Sequence, residues 1–303
     1  MGTVIEPDSI DWQRYLQESE PRARVRTASA WREDLAAAMC SDGGQVGALL
    51  PWAKTHDVLR LRPGELSVWA GINGHGKSLL TGQVVLSLMA QRQRCLVASF
   101  EMKPVRTLQR MCRQASCGAL PTVQFVDDFA RWTDDRLWLY DEQGTVSIDM
   151  VAAVLRYAHE ELSMQHVVVD SLMKCVRGED DYNGQKDTLD LLTAIARDTG
   201  MHVHLVHHIR KSDDEARLPG KFDLKGSGSI SDQADNVFVV WRNKKKQFDA
   251  QAGKPVDEES PDAMVACEKQ RNGDWEGRIA LWFHGASQQY LGAHGHRPQE
   301  YVR

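Results

Sequence analysis

The 303-residue chain has no uninterrupted apolar run near the roughly 18–20 residues that a membrane-spanning helix requires, so no membrane association is expected. Cys40, Cys95, Cys112, Cys117, Cys175 and Cys267 form no CxxC pair, which leaves them as free thiols suited to a reducing compartment. Positive charge is not in excess either. Lys and Arg number 37 against 42 Asp and Glu, a net charge of −5. A globally basic nucleic-acid-binding face is thereby excluded, and any such contact has to come from local loops or from several copies converging on one strand. The start, MGTVIEPDSIDWQRYLQ, carries acidic residues and no apolar core, unlike a secretory leader. No internal repeat is visible.

From Glu65 onward, apolar segments of strand length alternate with helix-length ones. The strand candidates are ELSVWAG, CLVASFE, LWLYD, HVVVDS, HVHLVHH, NVFVVWR, MVACEKQ and RIALWFHG, with helices expected near 77–91, 104–118, 147–164 and 185–199. This alternation predicts an α/β fold, a mostly parallel twisted sheet flanked by helices. After HVHLVHH the long helices stop and strands follow one another, which predicts antiparallel strands at the C-terminal end. Residues 1–60 read as an arm or linker with one or two short helices, too short to build a core, and 61–303 as the main domain. Trp69 and Trp282 are candidates for core packing.

The chemistry begins at GINGHGKS, a complete GxxxxGK[ST] motif between a predicted strand and a predicted helix. In it Gly71, Asn73, Gly74, His75, Gly76, Lys77, Ser78 and Leu79 are the candidate nucleotide contacts. The glycines let backbone N–H groups and the helix N-terminus face an anion. Lys77 is suited to the β- and γ-phosphates, and Ser78 to Mg²⁺. Asp170, closing the apolar strand HVVVDS, is the second expected anchor for Mg²⁺. Glu101 ends CLVASFE, a strand expected beside the phosphate-loop strand, and is placed to orient and polarise an attacking water. His202 and His204 alternate on one strand face, but no Cys or carboxylate is spaced to complete a tetrahedral zinc site.

Taken in order, LRPGELSVWAGINGHGKSLL, SFEMKPVRTLQRM, VVVDSL, DLKGSGSISDQADNVFVVWRN and EKQRNGDWEG resemble the ATPase domain of DnaB-type replicative helicases. The same motif order occurs in phage primase–helicases and the mitochondrial Twinkle helicase. The resemblance spans roughly residues 60–290. It implies a RecA-like core and an ATP-dependent helicase that translocates on single-stranded DNA as a homo-hexamer ring, hydrolysing ATP between subunits, in a bacterial or phage-infected host cytoplasm. It implies that Glu101 is the catalytic glutamate, His208 a γ-phosphate sensor, Arg271 an arginine finger acting on the neighbouring subunit's ATP, and Lys269 its partner. It further implies two channel-lining loops, 173–187 and 210–229, with Lys174, Arg177, Lys211, Lys225, Gly226, Ser227 and Gly228 as candidate DNA contacts. Asp180, Asp181, Asp213 and Asp214 in the same loops keep either from being a simple basic patch. A linker helix over Trp31–Met39 is expected to dock on the next subunit.

The chain departs from the family in having neither a full N-terminal helical domain nor a zinc-binding primase within its first 60 residues. Priming is therefore not expected, while a primase or loader protein remains a partner the resemblance suggests. Two other functions fit a phosphate loop: a RecA/RadA-like recombination or repair ATPase without unwinding, and an ATP-gated assembly factor. The strings SFEM, GSGSISDQADNV and KQRNG favour the helicase.

Overall fold

The computed structural model describes residues 11–16, 27–40, 46–118, 120–176, 178, 181–209 and 228–302. Arg177, Lys211, Lys225, Gly226 and Ser227 lie outside them.

Two short helices come first, α1 (Trp12–Leu16) and α2 (Arg32–Cys40). The main unit then runs β1 (Leu66–Ile72), α3 (Lys77–Ala90), β2 (Cys95–Ser99), α4 (Pro104–Ala115), α5 (Val123–Thr133), β3 (Leu137–Tyr140), α6 (Ile148–Glu160) and β4 (His166–Asp170). It continues with α7 (Tyr182–Thr199), β5 (His202–Ile209), α8 (Gly228–Gln233), β6 (Asn236–Arg242), α9 (Lys244–Gln251), β7 (Ala263–Gln270), β8 (Gly277–His284) and β9 (Gln289–Leu291). The strands form one nine-stranded sheet in the order β3-β2-β4-β5-β1-β6-β7-β8-β9. The first six in that order pair in parallel, and β7, β8 and β9 add antiparallel strands.

Every residue of β1, β2 and β4 is buried, as continuous apolar runs with helices on both faces require. Alternate residues feed two cores. Val68, Ala70, Leu96, Val167, Val169, Leu205 and Val239 pack with α6 and α7, whereas Trp69, Val97, Val168, Val206 and Phe238 pack with α3 and α4. Caps set the helix ends. Thr122 Oγ1 accepts from Phe125 N, Ser147 Oγ from Met150 N and Asp181 Oδ1 from Gly184 N, while Gly200 closes α7 at φ 73°.

Four expectations are corrected. First, β2 does not lie beside β1, because β4 and β5 intervene. Second, α5, α9 and β9 add elements to the pattern, and α7 begins at Tyr182, so residues 182–187 are helix where a loop was expected. Asp181 supplies the reason: as N-cap it carries the helix back through a polar stretch with little hydrophobic signal. Third, a boundary at residue 60 cuts through packed structure. Ala48, Leu50, Trp52, Leu59 and Leu61 are buried in the α3-side core, and Trp52 Nε1 donates to Tyr290 O at 2.8 Å. Fourth, Trp282 is only partly buried, with its indole N–H on Glu258 O, whereas Trp69 is fully enclosed. Further upstream, α1 docks on α6 through Tyr15 Oη to Glu161 and Arg156 to Tyr15 O. On α2, Leu35 and Met39 are 62% and 77% exposed. Among the described residues no helix is long and apolar enough to cross a membrane.

Candidate active site

The C-terminal ends of β1, β4 and β5, together with the segment after β2, converge on one cleft of about 430 Å³. Asn73, Gly74, Gly76, Lys77, Ser78, Leu79, Glu101, Asp170 and His208 line it, as do Met102, Arg110 and Gln288. The strand after the phosphate loop, β2, sits three places away across the sheet, while β6 lies on the other side of β1. Such a reversal of winding opens a crevice at the strand ends.

The loop geometry depends on glycine. Gly74 and Gly76 have φ of 79° and 86°, and a Cβ on Gly76 would lie 2.2 Å from Tyr290 Oη. Lys77 folds back so that Nζ donates to Gly71 O at 2.7 Å and Ile72 O at 3.1 Å. Burial lowers its pKa to about 8, against the raising influence of Asp170 and Glu101. His75 is the exception within the motif. Its ring is fully buried behind the loop and Nδ1 accepts from Arg242 N, so its side chain does not line the cleft. Gly71 also stands back, at the end of β1, where a Cβ would meet Val240 O at 2.5 Å.

Across the cleft, Asp170 is buried, and its Oδ1 has no partner among the described residues. Burial raises its pKa, opposed by a hydrogen bond from Ser78. Beside it, Glu101 Oε1 accepts from Ser171 Oγ at 2.7 Å and lies 3.3 Å from His208 Nε2. The His208 hydrogen bond is the largest cause holding the Glu101 pKa down to about 2, with burial opposing and Ser171, then the Lys174 charge, assisting. Lys174, in a short 3-10 turn after β4, is therefore close enough to be felt inside the cleft. Gly228 opens α8.

Arg271 and Lys269 are not brought to this cleft. Gln270 of β7 pairs with Asn236, at the start of β6, and Asn236 aligns with Ser67 of β1. Both cations thus sit at the opposite end of β1 from the phosphate loop.

Arg110 and Gln288 were not anticipated. Arg110 could have been found, since α4 presents it nine residues after Glu101 on a strongly amphipathic helix. No local signal marks Gln288, which reaches the cleft only because the β8–β9 turn folds over α4. Arg113 donates to Gly285 O and Ala286 O, and Gln114 to Gln288 O.

The model of the DnaB-like helicase C-terminal domain family matches residues 58–291. The chain belongs to this family. A DNA helicase/primase of Enterobacteria phage T3 is 26% identical over 120 residues, which cover 37% of this chain and 21% of that protein. The chain thus spans about a fifth of the length of this curated relative. Among solved structures, a DnaB-like replicative helicase described with its interactions with primase aligns at TM-score 0.72 and 15% identity, over 89% of this chain and 69% of the other. A second solved structure, an ATPase domain, aligns at TM-score 0.72 and 16% identity, over 87% and 97% respectively. At such identities the likeness establishes the RecA-like fold of these DnaB-family domains.

Proposed function

We propose that the chain is an ATP-driven DNA helicase motor of the DnaB type, assembling as a homo-hexamer ring and moving on single-stranded DNA during replication. The observation that carries this reading is the split site. Lys77, Ser78, Asp170, Glu101 and His208 converge on one cleft, while Arg271 and Lys269 lie at the other end of the sheet. A second copy, packed head to tail, supplies what the cleft lacks.

Within the cleft, the loop's N–H groups and the N-terminus of α3 receive the phosphates, and Lys77 leaves its two carbonyls for the β- and γ-oxygens. Asp170, hydrogen-bonded by Ser78 and with its buried Oδ1 left unpartnered, forms with Ser78 a donor set suited to a hard divalent cation, so these two residues would hold Mg²⁺. When bound, Mg²⁺ neutralises charge on the phosphate oxygens. Glu101, its pKa lowered by hydrogen bonds from His208 and Ser171, orients water and draws its proton. Hydrogen-bonded to Glu101, His208 is placed to sense the γ-phosphate from the other side. Arg271 and Lys269 of the adjacent copy stabilise charge as the phosphoryl group transfers. Lys174, Arg177, Lys211, Lys225, Gly226, Ser227 and Gly228 are the candidate DNA contacts, and six weak sets of them reconcile an acidic chain with DNA binding. A primase or loader is a candidate partner.

Steady-state ATP hydrolysis with and without single-stranded DNA, compared with Glu101→Gln and Arg271→Ala, tests the reading. DNA stimulation that both variants abolish supports it. DNA-independent turnover, or turnover that survives Arg271→Ala, overturns it.

A further inference from the structure

Arg271 and Lys269 are already engaged within their own protomer. Lys269 Nζ donates to Asp232 O at 2.9 Å, and Arg271 Nη2 donates to the same carbonyl at 2.7 Å and to Gln233 O at 3.2 Å. These carbonyls end α8, where a helix leaves acceptors without partners of its own. Asp235, 3% exposed, completes the arrangement. Its main-chain carbonyl accepts from Arg271 N at 2.8 Å, its Oδ1 lies 3.4 Å from Arg271 Nη1, and its Oδ2 accepts from Leu66 N at 2.9 Å. Arg197, at 3.9 Å, is a more distant and more exposed cation. A second clamp holds the turn from the other side, with Asn272 Nδ2 on Glu65 Oε1 at 2.8 Å.

A buried carboxylate is costly unless a cation and hydrogen bonds offset its lost hydration. Here the nearest cation is one arginine that is itself 36% exposed, at the protomer surface, with Lys269 and Arg197 as further positive charges near the carboxylate. An unrestrained arginine samples many rotamers, and ordering them at the moment of reaction slows it. We propose that Asp235 is the positioning residue for Arg271, presenting its guanidinium to a nucleotide bound by a second copy of the chain. This rests on the reading of Arg271 as a cation acting between subunits. Because Asp235 also caps the first residue of β1, a purely structural role within its own protomer is the alternative to separate.

Asp235→Asn keeps an acceptor for Leu66 N and replaces the charged oxygen facing Arg271 Nη1 with a neutral amide donor. Turnover number should fall about tenfold with KM for ATP within about twofold, as for lost orientation of a transition-state contact. The melting temperature should stay within a few degrees. The deciding measurement mixes Asp235→Asn subunits with Lys77→Ala subunits, which are inactive alone but carry an intact Asp235 and Arg271. Turnover above that of either parent shows that the defect lies in what is offered to the neighbour. If Arg271→Ala is complemented by Lys77→Ala but Asp235→Asn is not, Asp235 acts within its own protomer and the proposal fails. If Arg271→Ala is not complemented either, the reading of Arg271 fails first. Full activity of Asp235→Asn also overturns the proposal. Should that variant not fold, Asn272→Ala releases the exposed clamp of the same turn and should show a smaller, complementable loss, and the absence of any loss counts against the proposal.

Discussion

Glu101 and His208 meet at 3.3 Å across the cleft, although the strands leading to them, β2 and β5, are separated by β4. The contact ties Glu101, the proposed general base, to the strand on the far side of Asp170. His208 is thus both the principal cause of the lowered Glu101 pKa and a second side chain lining the cleft.

The first prediction concerns this pair. Glu101→Gln should retain nucleotide binding within a few-fold and lose at least about 100-fold in turnover, the range expected for a general base. In the intact protein the depressed pKa, about 2, keeps the carboxylate charged down to strongly acid pH. His208→Ala removes the largest cause of that depression. The acid limb of the turnover profile should then shift to higher pH, toward the ordinary glutamate range. A profile that does not move would mean that another group sets the limb.

The second prediction follows from Lys77. In the protein alone burial holds its pKa to about 8, and phosphate binding favours the ammonium. Nucleotide binding should therefore take up a proton above that value, and affinity should weaken by up to about tenfold per pH unit between pH 8 and 10. Calorimetry in buffers of different ionisation enthalpy measures the uptake directly. Lys77→Ala should bind more weakly at neutral pH and lose this dependence.

A third prediction comes from histidines buried outside the cleft. Trp69 Nε1 donates to His204 Nδ1 at 3.2 Å, so neutral His204 donates from Nε2 to His166 Nδ1, also 3.2 Å away. His202 is held separately between Ser67 Oγ at 2.8 Å and Arg62 O at 2.6 Å. Burial lowers the pKa of all three, that of His202 to about 4. The unfolded chain binds these protons near pH 6.5, so stability is full above that pH and falls as pH drops toward 4. For His202 alone the loss is on the order of 3 kcal/mol. Melting temperature measured from pH 7.5 to 4.5 should decline steeply below about 6.5, and His166→Phe should remove part of the slope.

Residues whose chemistry is carried by a contiguous string were readable in the sequence. GINGHGKS announces its loop because glycine spacing and the lysine are local requirements of anion binding, and HVVVDS announces Asp170 because a buried strand must be apolar until it reaches the cleft. The strand order was not readable. Whether β2 lies beside β1 or three places away is decided by crossover helices, and CLVASFE reads the same in either position. His75 shows the same limit at residue scale, since nothing in the motif says that one ring turns inward to meet Arg242 N. Of the elements missed, α5 is amphipathic and capped by Thr122 and was legible in the sequence, whereas α9 and β9 have weak patterns of their own. β9 is three residues long, and its place is fixed by Gln83, whose side chain bonds both Tyr290 N and Tyr290 O.

That last contact leads to a prediction about the phosphate loop itself. Tyr290 comes from the outermost antiparallel strand, yet its hydroxyl lies where a side chain on Gly76 would begin. Gly76→Ala therefore suffers twice. Its φ of 86° costs a non-glycine residue about 1–2 kcal/mol, and the new methyl must displace Tyr290 Oη from 2.2 Å. Either the Tyr290 ring tilts away or the loop lifts off the C-terminal strands, which are tied to α3 through Gln83. Gly76→Ala should lower the melting temperature and weaken nucleotide binding at least about tenfold. Tyr290→Phe removes the hydroxyl, which has no hydrogen-bond partner among the described residues, so alone it should be close to neutral for stability. Combined with Gly76→Ala it should recover the part of the loss due to the clash and leave the part due to φ. Thermal melts and nucleotide titrations of the two single variants and the double separate these terms. A strictly additive double variant would mean that Tyr290 does not support the loop.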